Sequence, residues 1–112
     1  MSSVAHAKVQ TIDKECLLNA AKDLKMQSHT DANGVVTVGA TRFEFKNGTA
    51  TVSFYDDIKS VARNAKQLTQ LSSFYTMKKR LEARGMKLET STKDVVAAVN
   101  SNQSIEMEFV NA

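Results

Sequence analysis

Proline and tryptophan are absent from this 112-residue chain, and cysteine occurs once. Without proline, no turn rests on a ring-locked φ and no proline-rich linker divides the chain. The single cysteine, Cys16, cannot close an internal disulfide, so burial must hold the fold together; a lone thiol also suits a reducing, cytoplasmic compartment. The four glycines, Gly34, Gly39, Gly48 and Gly85, never cluster. There is no G-x-G-x-x-G, G-K-[ST] or G-x-S-x-G, so neither nucleotide hydrolysis nor serine-hydrolase chemistry has a familiar motif to rest on. No apolar run reaches the roughly 18 residues of a membrane span. The segment Met1 to Lys8 lacks the basic start and long apolar stretch of a signal peptide.

What is present is ordinary for a globular protein: 42% hydrophobic and 24% charged residues. Residues 1–112 are expected to form one domain, able to bury about two-thirds of its unfolded surface. The net charge is +3, but it is unevenly placed. Between Ile58 and Met86, Lys59, Arg63, Lys66, Lys78, Lys79, Arg80 and Arg84 oppose a single acid, Glu82, while acids outnumber bases in the remainder. Such asymmetry suits an anionic partner, and it also suits the solvated face of a long helix.

Along the chain, Val4 to Ile12 alternates as a strand, with Ala5, Ala7, Val9 and Thr11 as the inward side and His6, Lys8 and Gln10 as the other. Asp13 to Lys25 has a helical stripe of Cys16, Leu17, Ala20, Ala21 and Leu24, with Thr11 or Asp13 as its cap. Gln27 to Gly34 is polar and ends in Asn33-Gly34, so it reads as a loop or a hairpin turn. Val35 to Lys46 and Thr49 to Tyr55 flank Asn47-Gly48, the strongest two-residue hairpin signal, because both central residues of a type I′ turn need positive φ. That loop sets Phe45 against Ala50, Phe43 against Val52 and Thr41 against Phe54 on one side. Glu44 then faces Thr51, and Arg42 faces Ser53, on the other. Upstream, at Val36, Val38 and Ala40, the apolar phase differs; a bulge or break near Gly39 would account for it.

Asp56-Asp57 can cap a second helix from Ile58 to about Arg84, with an inward stripe of Ile58, Val61, Ala65, Leu68, Leu71, Phe74, Met77 and Leu81, and Gly85 as its C′ residue. The stripe drifts at Ser72-Ser73, where a bend could lie. Met86 to Thr90 and Ile105 to Val110 alternate as strands. Between them, Val95 to Val99 fits a strand pairing Val99 with Ile105, or a short helix capped by Ser91 with Asp94 three residues on; β-branched content favours the strand. The resulting β-α-β-β-α-β-β order predicts an α+β fold. Two helices would cover one face of a mainly antiparallel sheet with a ferredoxin-like core, leaving the other face open.

No catalytic or metal constellation emerges. Cys16 lies in the first turn of a helix, where a thiol pKa falls, yet only His6 and His29 could serve it as base, and core packing accounts for it. Two isolated histidines and one cysteine lack zinc spacing. Asp56-Asp57 could hold magnesium, but capping explains both.

The layout resembles the Ycf35-like (DUF1257) family of small proteins found in plastid and cyanobacterial genomes and in some phages. The likeness rests on a short strand entering a helix at Thr11-Ile12-Asp13, a central hairpin and a long helix with mid-helix aromatics at Phe74-Tyr75. It continues through Gly85-Met86-Lys87-Leu88 to the closing Ser104-Ile105-Glu106-Met107-Glu108-Phe109. The resemblance implies a fold rather than a reaction, since the family brings no established catalytic residues.

Two functional readings follow. The first is a small non-enzymatic binding module that self-associates through the open sheet face, with Thr51, Ser53 and Tyr55 on the hairpin's outer side. The second is a binder of an anionic ligand through the basic helix, using Lys59, Arg63, Lys66, Lys79, Arg80 and Arg84. That ligand would be RNA or a nucleotide-type signal molecule, which a phage-encoded inhibitor could sequester. Neither reading calls for a cofactor, a metal or a membrane.

Overall fold

The structure is a computed structural model that describes residues 5–55, 58–103 and 109–111. It is α+β. Along the chain run β1 (Ala5–Gln10), α1 (Lys14–Asp23), β2 (Ser28–Thr30), β3 (Val36–Val38), β4 (Thr41–Lys46) and β5 (Thr49–Tyr55). They are followed by α2 (Lys59–Glu82), β6 (Met86–Leu88), α3 (Thr92–Asn100) and β7 (Phe109–Asn111). Five strands form an antiparallel sheet in the order β1-β5-β4-β3-β2, and β6 pairs with β7 in a separate antiparallel two-stranded sheet. A ferredoxin-like core would seat the strand after the second long helix inside the main sheet. That strand is β6, and it pairs with β7.

The β4–β5 hairpin forms in the expected register: Phe45 opposite Ala50, Phe43 opposite Val52, Glu44 opposite Thr51 and Arg42 opposite Ser53. Asn47 and Gly48 have φ of 51° and 77°, the two positive values a type I′ turn demands. Phe43, Ala50 and Val52 are buried and share one core cluster with Ile12, Leu17 and Ala21 at and in α1, Val36 and Val38 of β3, and Leu68 of α2; Phe45 and Phe54 pack at its margin.

The phase change near Gly39 is a break, not a bulge, and the break is a second reversal: β3 and β4 are separate antiparallel strands, with Val38 opposite Thr41. Gly39, at φ 58°, supplies the positive φ at the first loop position that a type II′ turn requires. The hairpin turn is the reading adopted for the polar stretch 27–34, which also contains the edge strand β2, paired with β3. Its connection is an Asx turn in which the Asp31 carboxylate accepts from the amides of Asn33 and Val35. In β1 the inward phase is the reverse of the expected one at Val9. Val9 lies opposite Thr51 and is 70% exposed, because β5 sets the register and pairs Lys8 with Val52 and Gln10 with Ala50.

The segment 92–100 is helix, not strand. Its β-branched content is overridden by packing: Val95 and Val99, one turn apart, join Ala20 of α1 and Leu71 and Phe74 of α2 in a second core cluster. The buried Gln67 side chain donates to the Val99 carbonyl at 3.1 Å and fastens the end of α3 to α2. The alternative of a helix starting after Ser91 is the one adopted, though Ser91 makes no side-chain capping bond. The proposed pairing partner, Ile105, and the rest of 104–108 lie outside the described residues, as do Asp56 and Asp57; the N-cap position of α2 falls on Ile58.

α2 is one uninterrupted helix through Ser72-Ser73. Ala65, Leu68, Leu71 and Phe74 are buried as expected, but Ile58 and Met77 are about half exposed. With 24 residues, α2 is about 36 Å long. Gly85, at φ 85°, takes the left-handed geometry expected just beyond the helix.

α1 and α3 end alike. After α1, the amides of Lys25 and Met26 bond back to the carbonyls of Lys22 and Ala21; after α3, those of Asn102 and Gln103 bond to Val99 and Ala98. Both are Schellman endings, with Lys25 (φ 59°) and Asn102 (φ 57°) in the left-handed position.

Candidate functional site

The main sheet has a second face, and the hairpin residues on it alternate with the buried ones. Thr51 and Ser53 are half-buried and Tyr55 is 49% exposed, whereas Ala50 and Val52 are buried. Across the strands stand Val9, opposite Thr51, and Arg42 and Glu44, opposite Ser53 and Thr51. Arg42 and Glu44 pair with each other at 3.0 Å, both well exposed, so the pair adds at most about 1 kcal/mol to stability. Its value lies in showing both charge signs on one strip. This face thus carries Val9 and Tyr55 as exposed apolar groups, a hydroxyl ladder between them and one self-neutralised ion pair. The edge of β1 away from β5 has no strand partner among the described residues. Sequence reasoning found Thr51, Ser53 and Tyr55 but missed Val9; its place opposite Thr51 depends on the β1–β5 register, which no local signal encodes.

The six cations expected to share a ligand fall into two groups. Lys59, Arg63 and Lys66 lie exposed on the first half of α2, with no carboxylate within 4.0 Å among the described residues. Lys79 and Arg80 are engaged elsewhere. Lys79 Nζ lies 3.4 Å from Asp13 and 3.6 Å from Glu15, and an Arg80 Nη lies 3.4 Å from Asp13. Their positive charge is therefore largely balanced at the start of α1. The Lys79 ammonium is held above its usual range, first by its bond to Asp13 and then by the charge of Glu15. Lys78 pairs with Glu82 at 3.5 Å, while Arg84 is exposed and has no ion-pair partner among the described residues.

Asp13 occupies the N-cap position of α1 but makes no capping bond. Its amide donates to Thr76 Oγ1 at 3.0 Å, and the Thr76 hydroxyl donates to the Ser72 carbonyl at 2.8 Å. Its carboxylate serves Lys79 and Arg80 instead of the helix. Asp13 is thus the clasp between the start of α1 and the second half of α2, a role that cap statistics conceal. Further along, Tyr75 donates to the Asp23 carboxylate. Partial burial, then that bond and the charge of Asp23, push the phenol well above its usual range.

Cys16 is 4% exposed and borders the groove between α1 and α2, whereas the exposed His29 borders a different cavity beside β2 and β3. The structure does not bring them together, and the side chain of His6 lies outside the described residues. Among the described residues no three His, Cys, Asp or Glu side chains cluster as metal ligands, and no helix is long and apolar enough to cross a membrane. Compared with family models, curated proteins and solved structures, the chain matches none.

Proposed function

We propose that this protein is a small binding module, without a catalytic role, that self-associates through the outer face of its main sheet. In this reading α1 and α2 cover the side bearing Phe43 and Val52, and the opposite side receives a second copy. The observation that carries it is Val9, 70% exposed and set opposite Thr51, on the same face as the 49% exposed Tyr55 at the end of β5. An isologous interface must be self-complementary, and the Arg42–Glu44 pair supplies both signs, so each can meet its opposite across a two-fold axis. Cytoplasmic residence accords with the buried free thiol of Cys16. Kinship with the Ycf35-like proteins is part of the same proposal, supported by the strand-to-helix entry at Thr11-Ile12-Asp13 and the aromatic pair Phe74-Tyr75. Light scattering coupled to size exclusion across a wide concentration range tests the association. A dimer that Val9→Lys converts to a folded monomer is expected; a monomer at every concentration overturns the proposal.

A second reading keeps the anionic partner, narrowed to the exposed Lys59, Arg63 and Lys66. These three form one stripe at i, i+4 and i+7 and lack ion-pair partners among the described residues. Bound to single-stranded RNA through all three, the protein would show log affinity falling against log salt with a slope of about −2. A slope near zero, or unchanged binding after neutralising all three, excludes it.

A further inference from the structure

We propose that the cleft between the end of β1 and the last turns of α2 binds a small organic anion: a phosphate or carboxylate carried on an apolar body. The cleft holds about 420 Å³ and is bordered by Thr11, Ser73, Met77, Arg80, Leu81 and Arg84. That volume falls in the roughly 300–1,000 Å³ range of small-molecule sites. The helical residues form a single stripe, since 73, 77, 80, 81 and 84 follow three- and four-residue steps, so cationic and apolar groups alternate along one wall. Thr11 adds a hydroxyl from outside α2.

An excess of cations among its lining side chains sets this cleft apart from two others. The groove between α1 and α2, about 530 Å³, mixes Glu15, Asp23 and Glu82 with Lys22, Lys78 and Lys79. The cavity beside β2 and β3, about 620 Å³, is bordered by no Asp, Glu, Lys or Arg. Here both ionised side chains are arginines. Arg84 has no carboxylate partner among the described residues, and the contact of Arg80 with Asp13, at 3.4 Å, occupies only one of its nitrogens. A guanidinium has five N–H donors in a planar fork matched to phosphate or carboxylate, so both arginines retain donors for a ligand. Met77, 43% exposed just beyond the buried Leu71 and Phe74, gives the apolar body a surface to cover.

This site is independent of the self-association surface, since neither Val9 nor Tyr55 borders it. It also withdraws Arg80 and Arg84 from any RNA-binding track. NMR titration of backbone amides with phenyl phosphate, inorganic phosphate and benzyl alcohol tests it. Phenyl phosphate is expected to shift the amides of Thr11 and of 73–84 saturably, and to bind at least about tenfold more tightly than either fragment. Arg84→Gln, at an exposed position where folding is not at stake, is expected to weaken phenyl phosphate about tenfold or more, and Lys59→Gln to leave it unchanged. No saturable response to phenyl phosphate, an equal response to inorganic phosphate, or wild-type affinity in Arg84→Gln would each overturn the proposal.

Discussion

The two halves of α2 are built from similar residues and are held in different ways. Up to Leu68 the helix is anchored through apolar contact with the sheet core and the bond of Gln67 to α3, and its cations, Lys59, Arg63 and Lys66, stand clear of carboxylates among the described residues. From Leu71 onward it is anchored four times over, once by the Tyr75 hydroxyl on the Asp23 carboxylate. Leu71 and Phe74 meet α3 in the second core cluster, Thr76 holds the Asp13 amide, and Lys79 and Arg80 hold the Asp13 carboxylate. A run of basic residues in sequence is therefore not a single field in space. The acid that balances its second half lies more than sixty positions earlier in the chain.

That contrast can be broken at several points. Phe74→Ala should have the largest effect, about 3–5 kcal/mol by chemical denaturation, because it empties the space between α2 and α3. Hydrogen exchange should show the amides of α3 losing protection first, since Val95 and Val99 lose their partner; uniform loss across the chain would mean that the two core clusters are one unit. Thr76→Val preserves shape but leaves the Asp13 amide without its acceptor, at a cost of about 1–3 kcal/mol. Full stability in that variant would show the clasp to be dispensable.

A smaller effect is expected in alkali. Tyr75 and Lys79 both have raised pKa values in the fold. The folded state thus binds protons more tightly than the unfolded chain, whose values lie near 10 and 10.4. Their stabilisation is complete below those values and is lost as pH rises through the folded ones. Urea midpoints should therefore fall above about pH 10, and less steeply in Tyr75→Phe and Lys79→Gln than in the parent. Because both groups belong to the second half of α2, the amides there should respond first.

How much of this was legible beforehand depended on whether the signal was local. The Asn47-Gly48 reversal needs two positive φ angles, and few other residue pairs accept them, so the pairing of Phe43 with Val52 could be reached by counting. The reversal at Gly39 needs positive φ only at its first position, and one glycine inside an apolar stretch is equally a bulge. The helix around Val95 stood only as an alternative to a strand because its stability comes from Leu71, Phe74 and the Gln67 side chain, none of them neighbours in sequence. The outer face was half legible: Thr51, Ser53 and Tyr55 followed from the hairpin, but Val9 needed the partner strand. The basic cleft could be read only as charge. That Arg80 and Arg84 share a cavity with Thr11 depends on where β1 ends against α2.

The ending of α1 has a practical consequence. Lys25 holds a left-handed φ of 59° although nothing in its side chain favours that geometry, and the turn it makes brings Met26 back against the core. An L-residue with a β-carbon gives up roughly 1–2 kcal/mol there relative to glycine. Lys25 is thus the natural place to engineer heat tolerance: a glycine would relax the bend while leaving intact each surface assigned to a partner.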